Sequence, residues 1–134
     1  MKTFVLDCSV TMAWCFLDEK TDYTESILDL LETHRALVPA LWHLEVVNVL
    51  HQAHRHHRID EIQQEAFLSF LAQLPIETTV LKGNSKDLLK LCGEYTITAY
   101  DACYLALSIE NNIPLITIDK DFKKATLKAQ LPLL

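Results

Sequence analysis

The chain has 134 residues, 50% of them hydrophobic, and carries a net charge of -6. That length can bury a real core but is too short for two ordinary domains, so residues 1–134 are expected to form one. The apolar runs fall far short of the ~20 residues of a membrane-spanning helix, and the acidic balance excludes nucleic-acid binding by broad basic attraction.

The N-terminus runs directly into Phe4-Val5-Leu6-Asp7 without an apolar signal region, which reads as a cytoplasmic protein with no membrane partner. Residues 3–6 form a short apolar run that does not alternate, as a strand buried on both faces requires. Val10, Ala13, Trp14 and Leu17 then fall at the spacing of one helix face. A second helix starts at Thr21-Asp22 and carries Ile27, Leu28 and Leu31. Residues 36–38 are the next strand. Leu41-Trp42-His43-Leu44-Glu45-Val46-Val47-Asn48-Val49-Leu50 follows as a helix with an acid set among apolar residues.

Asp60 can cap a helix whose apolar positions are Ile62, Ala66, Phe67, Phe70, Leu71 and Leu74, and Pro75 ends it. Residues 76–80 form a further strand. Asn84 or Ser85 can cap the helix that turns Leu88, Leu91 and Cys92 inward, and residues 115–118 close the series as a buried strand. Strands alternating with helices give an α/β fold: three layers, α/β/α, with a central mainly parallel sheet.

With only two glycines, Gly83 and Gly93, the chain has neither a G-x-G-x-x-G dinucleotide turn nor a G-x-x-x-x-G-K phosphate loop. Its four cysteines show no C-x-x-C spacing and read as reduced, packed thiols. His51, His54, His56 and His57 lack the companions of a tetrahedral zinc site and read as a solvated helix end. Arg55, Arg58 and Lys120 are the candidate phosphate contacts, with Lys123, Lys124 and Lys128 following Lys120. Trp14, Trp42, Phe67 and Phe70 read as core or dimer-interface residues rather than stacking platforms.

In parallel α/β sheets ligands bind beyond the carboxyl ends of the strands, and here two strands, far apart in sequence, each exit into an aspartate. Leu6-Asp7-Cys8-Ser9 and Thr117-Ile118-Asp119-Lys120-Asp121 have the same form. Each aspartate is also a natural helix cap, Asp121 for a helix beginning near Phe122. Glu45 and Asp101 are harder to explain structurally. Glu45 shares its face with Leu41 and Val49, Asp101 shares its face with Ile97, Tyr104 and Leu105, and no Lys or Arg lies within a helical turn of either. An acid on an apolar face needs a cation. Four acids, two at strand ends and two on apolar helix faces, fit a magnesium or manganese site, since these ions prefer oxygen ligands and keep several waters.

The blocks Val5-Leu6-Asp7-Cys8-Ser9-Val10, Glu45-Val46-Val47-Asn48-Val49-Leu50, Tyr100-Asp101-Ala102-Cys103-Tyr104-Leu105-Ala106-Leu107 and Leu115-Ile116-Thr117-Ile118-Asp119-Lys120-Asp121-Phe122, in this order, resemble the PIN-domain nucleases, most closely the VapC toxins of bacterial toxin–antitoxin pairs. The resemblance implies that Asp7, Glu45, Asp101 and Asp119 are catalytic and hold one or two Mg²⁺ or Mn²⁺ ions, with Ser9, Thr117 and Asp121 supporting them. It also implies a metal-dependent endoribonuclease leaving 5′-phosphate and 3′-hydroxyl ends, a cognate antitoxin whose tail crosses the groove, and a homodimer. Two positions depart from the pattern. Cys8 stands where Ser or Thr is more usual, and Asn111-Asn112 stands where glycine is common, although Asn tolerates the left-handed helix end that this turn needs.

Two other functions fit parts of the sequence. Asp7-Cys8-Ser9-Val10-Thr11 begins like the nucleophile loop of a haloacid-dehalogenase-like phosphatase, but Ser9 stands where that loop has its second aspartate. A non-catalytic PIN-like module would bind RNA or an antitoxin without cleaving, and the full acidic set argues against it.

Overall fold

A computed structural model of the chain describes residues 2–134. Four strands, β1 (Lys2–Leu6), β2 (His34–Val38), β3 (Ile76–Thr78) and β4 (Leu115–Ile116), form one sheet in the order β3-β2-β1-β4, with every pairing parallel. Phe4, Val5 and Leu6 are fully buried in the centre of that sheet, as their unbroken apolar run requires. The helices are α1 (Cys8–Ala13), α2 (Asp22–Leu30), α3 (Leu41–Arg55), α4 (Glu61–Ala72), α5 (Ser85–Tyr95), α6 (Ala99–Asn111) and α7 (Lys120–Lys128). The expected α/β architecture with a central parallel sheet is borne out. Among the described residues no helix is long and apolar enough to cross a membrane.

Local signals set the helix starts. Thr21, Asp60 and Asn84 each accept from the backbone N–H three residues on, and each of those residues returns a side-chain bond to the cap backbone. At the other ends, α6 closes on Asn112 in the left-handed region (φ 52°), so the turn before Ile113-Pro114 forms without glycine. Trp42 and Trp14 both lie against the core, and each satisfies its indole N–H: Trp42 donates to Thr11 Oγ1 at 3.0 Å and Trp14 to the Thr24 carbonyl at 2.8 Å.

Several boundaries differ from expectation. The β4 ladder stops at Ile116, leaving Thr117 buried and Ile118 outside it, and β3 stops at Thr78 with Val80 86% exposed. The first helix ends at Ala13, so Leu17 is exposed rather than continuing the stripe. On α4 only Phe67 and Leu71 are buried, while Ile62 faces solvent, because a single row of that helix meets the rest of the fold. The α7 cap is Asp119, which accepts from Phe122 N–H at 2.9 Å, and Asp121 stands exposed in the first turn instead of capping. The cysteines are free thiols.

Candidate active site

Because β1 and β4 are parallel neighbours, their carboxyl ends open side by side. The ladder extends one step past β1, where Asp7 N–H donates to the Ile116 carbonyl at 3.0 Å. This places Asp7 against Thr117. Asp7 is only 6% exposed and sits at the N-cap position of α1, yet its carboxylate makes no cap bond. It is held sideways instead: Ser9 Oγ donates to Asp7 Oδ2 at 2.5 Å and Thr117 Oγ1 donates to the same oxygen at 2.8 Å. Ser9 and Thr117 Oγ atoms are themselves 3.2 Å apart, and each accepts a backbone N–H, from Ile118 at 3.2 Å and Asp119 at 3.1 Å respectively. The two strand exits are therefore bonded into one unit that fixes the direction of the Asp7 carboxylate.

Glu45 comes from the second turn of α3, the helix after β2, and is half-buried. No cation meets it. Tyr104, fully buried on α6, donates its hydroxyl to Glu45 Oε1 at 2.5 Å. Asp101 lies one turn before Tyr104 in the first turn of α6, where Thr98 caps the helix by accepting from Asp101 N–H at 3.1 Å. Asp7, Glu45, Asp101 and Asp119 all line one open groove of about 430 Å³, together with Ser9, Asn48 and Arg58.

Electrostatically the groove is under strain. Burial raises the Asp7 carboxyl against the lowering effect of its two hydroxyl donors, with Asp119 adding repulsion. Glu45 is raised by burial and by Asp7, against the lowering effect of Tyr104. Burial pushes Asp101 up from 3.8 to about 6, with repulsion from Asp7, Asp119 and Glu45 added. Among the described residues none of these four acids is paired with Lys, Arg or His. A divalent cation relieves both causes, by replacing lost solvation and by screening carboxylates from each other. The donor set, all hard oxygen, fits magnesium or manganese. Among the described residues no three His, Cys, Asp or Glu side chains are placed to hold a metal ion together. An ion here would complete its shell with water, as magnesium ordinarily does.

The other sequence candidates lie at or beyond the rim. Arg58 is in the groove wall, whereas Arg55 and Lys120 are exposed outside its lining. The histidines near the end of α3 assemble no metal cluster among the described residues. Two residues beside the acids had no assigned role in the sequence: Tyr104, buried and bonded to Glu45, and Asn48, in the groove lining. Tyr104 had as its signal a position three residues after Asp101, which puts both on one helix face. Asn48 had the same relation to Glu45.

The family model described as PIN domain matches residues 4–127 of the chain. Among solved structures the chain is similar to PAE2754 from Pyrobaculum aerophilum, at 18% identity over 92% of this chain and 84% of that one, with a TM-score of 0.65. It is similar to VapBC2 from Rickettsia felis bound to a DNA fragment from their promoter, at 14% identity over 92% of each chain and a TM-score of 0.63. A toxin–antitoxin complex from Klebsiella pneumoniae is also similar, at 18% identity over 88% of each chain and a TM-score of 0.59. At these identities the likeness is one of fold. No curated protein is significantly similar in sequence.

Proposed function

The chain belongs to the PIN domain family, and from that premise we propose that it is a divalent-metal-dependent endoribonuclease, the toxin of a toxin–antitoxin pair. The observation that carries the proposal is the groove in which Asp7, Glu45, Asp101 and Asp119 converge without a cationic partner among the described residues. Asp7, Asp101, Glu45 and Asp119 would hold the metal. When bound, magnesium or manganese supplies Lewis acidity, offsetting charge on phosphoryl oxygens and making a water nucleophilic near neutral pH.

The chain's own residues supply position. Ser9 and Thr117 hold the Asp7 carboxylate in one direction, and Tyr104 does the same for Glu45. Such outer contacts keep metal ligands in place and tune their basicity. Asp119 caps α7 through Oδ1 alone, leaving its second carboxylate oxygen for the groove. Asp121 lies one residue past Lys120 on the exposed first turn of α7, where it could orient a water. The substrate is RNA, cut to leave 5′-phosphate and 3′-hydroxyl ends. A cognate antitoxin, whose tail would cross the groove, and a second copy of the chain are the proposed protein partners, and the cytoplasm is the proposed location. The toxin–antitoxin neighbours support the first of these partners.

The test is cleavage of RNA by the purified protein with manganese or magnesium. Asp7→Asn and Asp101→Asn should each abolish it, by about 100-fold or more, while circular dichroism stays unchanged, and chelation should abolish it in the parent. Undiminished cleavage by both variants would sink the metal assignment. RNA binding without cleavage at any metal concentration would make the chain a non-catalytic module, and phosphorylation trapped on Asp7 would make it a phosphatase.

A further inference from the structure

One cation stands in the wall of the acidic groove, and it is already occupied. Arg58 Nη2 donates to Asp18 Oδ1 at 2.7 Å and to Glu19 Oε2 at 2.9 Å, and its guanidinium carbon lies 3.8 Å from the centre of the Phe16 ring. Phe16, Glu19 and Arg58 all line the groove alongside Asp7 and Glu45. The backbone is arranged to put Arg58 there. Helix α3 ends with His57 in the left-handed region (φ 58°), so that Arg58 N–H returns to the Ala53 carbonyl at 2.8 Å and His57 N–H to the His54 carbonyl at 3.0 Å. This double closure reverses the chain and aims residue 58 back across the groove mouth. A non-glycine residue pays a conformational cost in that region.

We propose that Arg58 is the phosphate anchor of the groove and that Asp18 and Glu19 form an acidic clasp which the RNA backbone must displace to reach it. The inference rests on the ribonuclease reading and adds its regulation. Arg58 suits the role chemically. A guanidinium presents several N–H donors in one plane, matching phosphate oxygens as well as carboxylates, and an aromatic face behind it holds that plane while leaving its edge free. The clasp suits displacement. Asp18 is 74% exposed and Glu19 and Arg58 are each 40% exposed at the side chain, so the pairs are screened by water and cost little to break. The clasp therefore discriminates between phosphates. A lone contact at the rim gains little by expelling two carboxylates, whereas an RNA whose neighbouring phosphate is held at the metal-binding acids brings its next phosphate to Arg58 as an intramolecular event.

The test is binding of a short fluorescein-labelled single-stranded RNA of mixed sequence, followed by anisotropy with calcium in place of magnesium. The proteins compared are the parent, D18N/E19Q, R58Q, D18N/E19Q/R58Q, and the control E32Q/E65Q, which removes the same charge from exposed positions. D18N/E19Q should bind about three- to tenfold tighter than the control, R58Q should bind weaker than the parent, and the triple variant should show no gain over R58Q beyond the control's increment. Equal affinity of D18N/E19Q and the control, or the same gain with Arg58 removed, would overturn the clasp while leaving the nuclease reading intact. Absence of RNA binding in every protein would overturn both.

Discussion

A tyrosine hydroxyl buried away from water must find an acceptor, and the one Tyr104 finds is a carboxylate of the acidic groove, Glu45 Oε1. Burial and that carboxylate push the phenol far up, so it remains a donor at any physiological pH. The bond joins α3 to α6 and fixes the Glu45 side chain, which leaves Tyr104 a positioning role. Tyr104→Phe keeps the ring that fills the core and removes only the donor. The expected result is an RNA cleavage rate lowered about tenfold, with more manganese needed for half-maximal rate. An unchanged manganese requirement would remove Tyr104 from that role. The acids themselves were legible in the sequence, because a strand exit or an apolar helix face is an odd place for a carboxylate. The role of Tyr104 was not, because an aromatic beside an acid on an apolar stripe is ambiguous and its partner lies 59 residues away. The pairing of Arg58 with Asp18 and Glu19, at separations of 40 and 39 residues, was hidden for the same reason.

Helix starts are written in short local codes and helix burial is not, which divides what could be read element by element. The caps at Thr21, Asp60 and Asn84 act within three residues and were visible in advance. The exposure of Leu17 and Ile62 depends on what else packs nearby, and periodicity carries no information about that. Two residues of β4 suffice because Asp7 N–H extends the ladder to Ile116, a pairing the run 115–118 could not reveal. The end of α5 is the costly one. Thr96, a β-branched residue, sits in the left-handed region (φ 54°), and the chain passes from it through Ile97 to the Thr98 cap that precedes Asp101. Thr96→Gly removes a steric penalty at an exposed position and should stabilise the fold by about 1 kcal/mol, less the entropy glycine adds to the unfolded chain. Urea denaturation gives the measure. A loss of stability would mean that the Thr96 side chain makes a contact worth more than its strain.

For the molecule as a whole, the proposed metal site would set fold stability against metal affinity. Five acids, Asp7, Glu19, Glu45, Asp101 and Asp119, face one arginine along the groove lining, so much of the chain's net charge of -6 lies where an ion is proposed to bind. The composition showed the charge but not its location. Without a divalent ion that concentration opposes folding. The folded-state Asp101 carboxyl is raised from 3.8 to about 6, and Asp7 and Glu45 move the same way. A raised carboxyl binds its proton more tightly in the folded state than in the unfolded one. Its favourable contribution is therefore complete at low pH and is lost as pH climbs through about 4 to 6, leaving the metal-free protein penalised at neutral pH. Protons would compete with the proposed metal ion for the same oxygens, so manganese should raise the melting temperature strongly above about pH 7 and weakly near pH 5. At a hundred times its dissociation constant the ion contributes about 2.7 kcal/mol, a shift of several degrees for a chain of this size. Asp101→Asn should raise the melting temperature in chelator at neutral pH and shrink the increment from manganese, because the same carboxylate is the source of both effects. A manganese increment of equal size at both pH values, or one that survives Asp101→Asn undiminished, would place the bound ion outside this groove.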